Sequence, residues 1–351
     1  MKLAAGLLMS SLVMAQQAGA PVAPNGRHYL SQPLVTSIFT ADPSAHVFGG
    51  KLYVYPSHDV PTDIPDDDMG SEYAMHDYRV LSMNHVGGPV TVGPVALDVK
   101  DVPWASKQMW APDAAYKDGT YFLYFPALDK SGHFRIGVAT GSNAMGPFKA
   151  EPEPIAGSYS IDPAVFTDTD GQSYMYFGGI WGGQLENWPT GKFVAGSTTD
   201  LKQDDKPALM PKVAKLSADM KHFAAPASDA VIVDANGKPL LGGDHDRRFF
   251  EASWMFKRNG VYYFTYSTGD THFLAYATGS KPMGPFTYRG HFLLPVQGWT
   301  THQSIVESGG KWWLFYADTQ ISNKNHLRNV KVTELHFNPD GSIQTVDPFV
   351  K

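Results

Sequence analysis

The 351-residue chain contains no cysteine. A disulfide framework, a thiolate metal site and a cysteine nucleophile are therefore all closed to it. A basic surplus is also missing. The formal net charge is −6, and Lys and Arg form no cluster, which excludes nucleic acid as the expected partner. Long apolar runs are scarce. One, Leu3 to Ala15, follows Met1-Lys2 and precedes Ala18-Gly19-Ala20. It falls short of the roughly 20 residues that a membrane-spanning helix needs, and it has the order of an export signal. Residues 1–20 are therefore expected to be a signal peptide, with the mature chain beginning near Pro21. The expected destination is the periplasm or the exterior, with no membrane span. Helical periodicity is missing as well: no long amphipathic stretch runs between residues 40 and 335.

What is present is aromatic and strand-like. Five times, an acidic or imidazole residue precedes two short aromatic strands joined by a tight turn. Asp42 precedes Gly49-Gly50 and Leu52-Tyr53-Val54-Tyr55. Asp113 precedes Asp118-Gly119 and Tyr121-Phe122-Leu123-Tyr124. Asp162 precedes Asp170-Gly171 and Tyr174-Met175-Tyr176. Glu251 precedes Asn259-Gly260 and Tyr262-Tyr263-Phe264. His302 precedes Gly309-Gly310 and Trp312-Trp313-Leu314-Phe315. Each turn pair suits a two-residue hairpin, whose central residues need positive φ. A second repeat supports the first: Ala139-Thr140-Gly141-Ser142 to Met145-Gly146-Pro147-Phe148 recurs as Ala277-Thr278-Gly279-Ser280 to Met283-Gly284-Pro285-Phe286. It reads as a third strand and the turn leaving it.

A unit repeated five times predicts an all-β, five-bladed β-propeller. Residues 21–351 are then expected to form a single catalytic domain, with the last short strand, after about residue 335, closing the ring. In a propeller the innermost strands surround one channel. The five polar residues would gather there, three of them carboxylates suited to acid/base work. Cleaving a glycosidic bond needs two carboxyl groups in opposite protonation states. Environment sets them apart, burial or a neighbouring charge raising one and hydrogen bonds holding the other low.

At these residues the chain resembles glycoside hydrolase family 43, the five-bladed propeller enzymes that include β-xylosidases and α-L-arabinofuranosidases. The matching stretches are Phe39-Thr40-Ala41-Asp42-Pro43-Ser44, Trp110-Ala111-Pro112-Asp113, Ser160-Ile161-Asp162-Pro163, Phe250-Glu251-Ala252-Ser253 and Thr301-His302-Gln303-Ser304. The resemblance implies an inverting mechanism with Asp42 as general base, Glu251 as general acid and Asp162 as pKa modulator. It implies that His302 lies on the axis and meets a central calcium ion through its ring and surrounding waters. The other reading of His302 is a hydrogen-bonded histidine that positions Glu251 or water. Arg328 resembles an arginine that holds sugar hydroxyls, or else is an exposed charge at a blade edge.

Phe39, Trp110 and Trp181 are candidates to stack on a sugar face, Trp110 having packing between blades as its alternative. Asp113 reads as a structural strand entry, His58-Asp59 as a surface pair near the pocket, and Asp66-Asp67-Asp68 as a solvated loop. The wording of Tyr55-Pro56-Ser57-His58-Asp59 and Gly178-Gly179-Ile180-Trp181-Gly182-Gly183-Gln184 looks most like the β-xylosidase side of the family. The expected activity is exo-cleavage of xylose from β-1,4-xylo-oligosaccharides, with arabinose-substituted xylan as a further substrate. An α-L-arabinofuranosidase is the rival within the class. A non-catalytic carbohydrate-binding propeller is the rival outside it, disfavoured because Asp42, Asp162 and Glu251 are all present.

Overall fold

The computed structural model describes residues 22–197, 204–299 and 301–350. The expected signal peptide, residues 1–20, lies outside them. The described chain forms a five-bladed propeller. Among the described residues, the helical elements are three single 3₁₀ turns, Val99–Asp101, Trp181–Gly183 and Leu185–Asn187.

Each blade opens with an inner strand: Phe39–Phe48, Asp113–Lys117, Ala164–Thr167, Glu251–Arg258 and Ser304–Ser308. Each pairs antiparallel with the strand that follows it. The inner strands touch in the order first, second, third, fourth, fifth and back to the first, which closes the ring. The first blade has four strands, and the fifth has three, Ser304–Ser308, Lys311–Asp318 and Asn329–Leu335. Along the outer edge of the fifth blade the N-terminal segment lies instead, with Leu34 N–H donating to Val330 O at 2.8 Å. The last short strand, Phe349–Val350, pairs with His28–Tyr29 rather than entering a blade.

The turn chemistry explains the hairpins. Asp118-Gly119, Asn259-Gly260, Gly49-Gly50 and Gly309-Gly310 all have both residues at positive φ, as a two-residue hairpin requires. The third blade departs from expectation. There Asp168 N–H donates to Gln172 O at 2.9 Å, so three residues turn the chain and only Gly171 has positive φ. The Asp168 carboxylate that opens this turn accepts from Thr169 N–H at 2.7 Å and from Lys257 Nζ of the next blade at 2.7 Å.

The strand aromatics fill the space between blades. Tyr124, Phe125, Tyr176, Phe177, Phe264, Tyr266 and Tyr316 are all fully buried. One cluster joins the second, third and fourth blades, and others join first to second, fourth to fifth and first to fifth. Each such side chain contributes about 1.5–3 kcal/mol by leaving water. This packing fixes the inner strands, and with them the residues at their entry ends.

Candidate active site

Three acids are aimed by unusual backbone. Asp42 and Asp162 have φ of 48° and 58°, and Ala252, beside Glu251, has 65°. The hairpin register slips by one residue between Ala41 and Ser44, and again between Glu251 and Trp254. A bulge of this kind takes a residue off the ladder and re-aims its side chain. Asp tolerates the left-handed region better than most residues, and such strain, of order 1–3 kcal/mol, collects at functional sites. Pro43 and Pro163 follow the two aspartates and have no N–H to leave unpaired.

These residues line a cavity of about 240 Å³ at the axis, with Asp42, Asp162, Glu251, His302 and Arg328 all on its wall. Four of the five residues singled out by the repeat thus converge. The fifth, Asp113, does not line it. Its carboxylate takes the Ser44 hydroxyl, His46 Nε2 at 2.6 Å and the Val165 N–H, and so ties three inner strands together. That is the structural strand entry expected of it.

Asp42 is held by cations and a hydroxyl. Arg328 Nη1 donates to Oδ1 at 2.8 Å and Nη2 to Oδ2 at 3.2 Å, while the Ser57 hydroxyl donates to Oδ2 at 2.6 Å. Burial pushes the Asp42 carboxyl up, but Arg328, His302 and the Ser57 hydrogen bond outweigh it and leave it below the ordinary carboxylate value. Arg328 is itself buried, contrary to a blade-edge charge. Its Nε and Nη2 each donate to Asp59 at 2.9 Å. Most of its donors are therefore committed to two carboxylates, leaving little for a sugar hydroxyl. Asp59 is no surface residue either. It is fully buried behind Arg328, while His58 pairs with Asp77 at 2.5 Å.

Asp162 has the opposite environment. Burial raises its carboxyl; His302 opposes this, and Glu251 and Asp42 add to it, so it stands well above the ordinary value. Its Oδ2 accepts from Ala252 N–H at 2.9 Å, which ties it to the backbone beside Glu251. His302 stands between the two environments. Its Nδ1 lies 3.8 Å from Asp42 Oδ1, and its Nε2 lies 3.4 Å from Asp162 Oδ2 and 3.6 Å from Glu251 Oε1. Burial disfavours charge on the ring, but the three carboxylates prevail and keep it cationic at neutral pH.

Aromatic rings complete the wall. Trp110 lines the cavity and also packs on Phe134 of its own blade, with ring centroids 4.5 Å apart. Trp181 lines it from the long loop of the third blade and lies 6.2 Å from Trp299 and 5.1 Å from Phe250. Phe39 does not line it. That ring belongs to the first residue of its strand, paired with Asp59 across the hairpin. Two glycines permit the close approach of the Trp181 loop. A Cβ on Gly179 would stand 2.6 Å from the Ile161 side chain, and one on Gly182 would stand 2.7 Å from Met69 O. The loop at 66–73 thereby meets the Trp181 loop, and Asp66, Asp67 and Asp68 form the rim of the cavity. Glu72, Tyr73 and Trp299 also line this wall, and no local sequence pattern marks them.

The sequence model of glycosyl hydrolases family 43 matches residues 32–343, which include every residue named for this site. The chain belongs to this family. The xylosidase/arabinosidase 43A of Humicola insolens is 56% identical over 324 residues, covering 90% of this chain and 99% of the relative. The xylosidase/arabinosidase of Bacteroides ovatus is 51% identical over 316 residues, covering 90% and 97%. Among solved structures, a β-xylosidase/α-arabinofuranosidase from a compost microbial metagenome, in complex with xylotriose in a calcium-free form, is 61% identical. Its TM-score is 0.90, over 92% of this chain and 98% of the other. This family 43 protein is accordingly a glycoside hydrolase.

The family raises the question of a metal. Among the described residues, Asp162, Glu251 and His302 form a group whose ligand atoms lie within 4.8 Å of one another. Three groups do not satisfy calcium, which takes six to eight oxygens. Beneath them, however, lies a chamber of about 20 Å³ lined by Asp42, Asp162, Ser253, His302 and Gln303. Asp162 Oδ1, Ser253 Oγ and Gln303 Oε1 are buried without hydrogen-bond partners. Orphaned oxygens around a space for one water-sized occupant fit a single hard cation held by them directly, with any further ligands reaching it from the larger cavity.

Proposed function

We propose that this family 43 enzyme is an inverting, exo-acting β-xylosidase that releases terminal xylose from β-1,4-xylo-oligosaccharides. The single observation that carries this reading is the opposition of Asp42 and Asp162. One carboxyl is held low by Arg328, and the other is raised beside Glu251. Asp42 acts as general base and takes a proton from water. The water oxygen bonds to the anomeric carbon from the face opposite the leaving group. As the glycosidic bond breaks, Glu251 gives its proton to the departing oxygen. Asp162 orients Glu251 through the Ala252 amide, and its raised carboxyl shares the pocket with Glu251 so that the two are not both ionised readily. A β-linkage then yields α-xylose.

The position of His302 between Asp42 and Glu251 supports inversion, because the two carboxyls meet different nitrogens of one ring. An inverting pair needs a separation of about 6.5–9.5 Å, room for a water that a retaining pair lacks. The size of the cavity favours exo action. At about 240 Å³ it is smaller than the ~300–1,000 Å³ of a typical ligand pocket, so it suits a terminal sugar rather than a chain passing through. Activity on α-L-arabinofuranosides is a second reading, favoured by relatives named xylosidase/arabinosidase. A calcium ion, when bound, would rest against the oxygens of Asp162, Ser253 and Gln303, beside the His302 ring, and would supply positive charge to the carboxylates. We also propose that residues 1–20 direct export.

Parallel hydrolysis of xylobiose and an α-L-arabinofuranoside tests the substrate. Faster release of xylose is expected; release of arabinose alone would move the substrate, and turnover of neither would overturn the reading. The same assays with a chelator test the metal: lower activity or melting temperature on chelation is expected, restored by calcium. No change in either would remove the ion.

A further inference from the structure

One carboxylate on the cavity wall has no part in the mechanism above. Glu72 lines the cavity and is buried, with 3% exposed. Below the rim, the other acids are matched by cations: Asp42 and Asp59 by Arg328, Asp162 and Glu251 by His302. Among the described residues, Glu72 forms no ion pair. Its Oε2 accepts from Asp67 N–H at 3.3 Å, a long hydrogen bond. The loop does not depend on this contact. Asp67 Oδ1 already closes the turn, accepting from Met69 N–H at 2.8 Å and Ser71 N–H at 3.0 Å.

A buried carboxylate without a cation is a standing cost to the fold. Burial disfavours its ionised form; the backbone N–H groups of Glu72 and Asp67 oppose this in part, and the negative charges of Asp66 and Asp67 add to it, leaving the carboxyl raised. Its surroundings suggest what offsets the cost. Next to it, Tyr73 meets Trp110 edge to face at 6.2 Å, and Arg328 lies 4.9 Å over the Tyr73 ring. An acceptor at the edge of an aromatic wall matches a sugar ring, whose carbon face packs on rings while its hydroxyls donate outward. An ionised carboxylate only accepts, and its two oxygens can take two neighbouring hydroxyls.

We propose that Glu72 is a specificity-determining residue that accepts hydrogen bonds from hydroxyls of the pentose enclosed by the cavity. The proposal rests on the reading of this cavity as a pentose site. It makes Glu72 the group that rejects sugars lacking those hydroxyls, since an unmatched buried acceptor penalises the wrong ligand.

The test is calorimetric titration of D-xylose into the full chain, Glu72→Gln and Glu72→Leu, with melting temperatures for all three. Glu72→Leu should weaken xylose binding about 10- to 100-fold, the range expected for hydrogen bonds to a charged group. Glu72→Gln keeps one acceptor and should weaken it less. The melting temperature of Glu72→Leu should be unchanged or higher, because a buried charge has been replaced by an apolar group. Unchanged xylose affinity in Glu72→Leu overturns the proposal. If Glu72→Leu fails to fold, unchanged affinity in Glu72→Gln overturns it equally. Binding of neither xylose nor L-arabinose by the unaltered chain would instead overturn the pentose reading itself, and the assignment of Glu72 with it.

Discussion

Arg328 shows how a single side chain sets the chemistry of another. Its planar fork spans two carboxylates, Asp42 and Asp59, and its backbone N–H also donates to Asp59 at 2.8 Å. Asp59 is thus the anchor that keeps the guanidinium against Asp42. A lysine has the charge without the fork. The sign of the effect on pH follows. The cation favours the ionised form of Asp42, so removing it raises the pH at which the proposed base becomes available. In Arg328→Met the acid limb of the kcat/KM profile should move up by about 1–3 pH units. Arg328→Lys should move it less. An acid limb that stays in place in Arg328→Met would detach Arg328 from control of the base.

At the scale of elements, the site depends on how the inner strands begin. Asp42 and Glu251 stand at bulges, and Asp113 joins the first, second and third inner strands through its carboxylate. Asp113→Ala would leave the Val165 N–H and the Ser44 hydroxyl buried without that acceptor, at a cost of about 2–4 kcal/mol. The melting temperature should fall by several degrees, while kcat/KM of the folded protein stays within a few-fold of the unaltered enzyme. An unchanged melting temperature would contradict the bracing role.

The same elements show what was legible in the residues. Turn pairs such as Asn259-Gly260 dictate their own backbone, so blade number and order follow from local chemistry. The carboxylates could be found because each precedes its hairpin by a similar interval. The three-residue turn after Asp168 was not legible; the carboxylate that opens it is held by Lys257 of the next blade. Nor was the burial of Arg328, since Asp59 is 269 residues away along the chain. Phe39 illustrates the converse: nearness to Asp42 in sequence does not bring a side chain into the cavity, because the bulge between Ala41 and Ser44 re-aims Asp42 while Phe39 stays on the ladder opposite Asp59.

At the scale of the molecule, the ring assigns each role to a different blade. The proposed base comes from the first, Asp162 from the third and the proposed acid from the fourth. The fifth blade lies between the fourth and the first and contributes His302, which touches both sides. Packing between blades, rather than any local contact, therefore holds base and acid apart. The contacts of Asp42 and Glu251 with different nitrogens of the His302 ring are the basis for expecting inversion. Proton NMR of xylobiose hydrolysis, read before the released sugar mutarotates, tests this most directly. The account predicts that the anomeric signal of α-xylose appears first from the newly formed end. Initial appearance of β-xylose at that end would mean retention, and would contradict the assignment of Asp42 as a base acting through water.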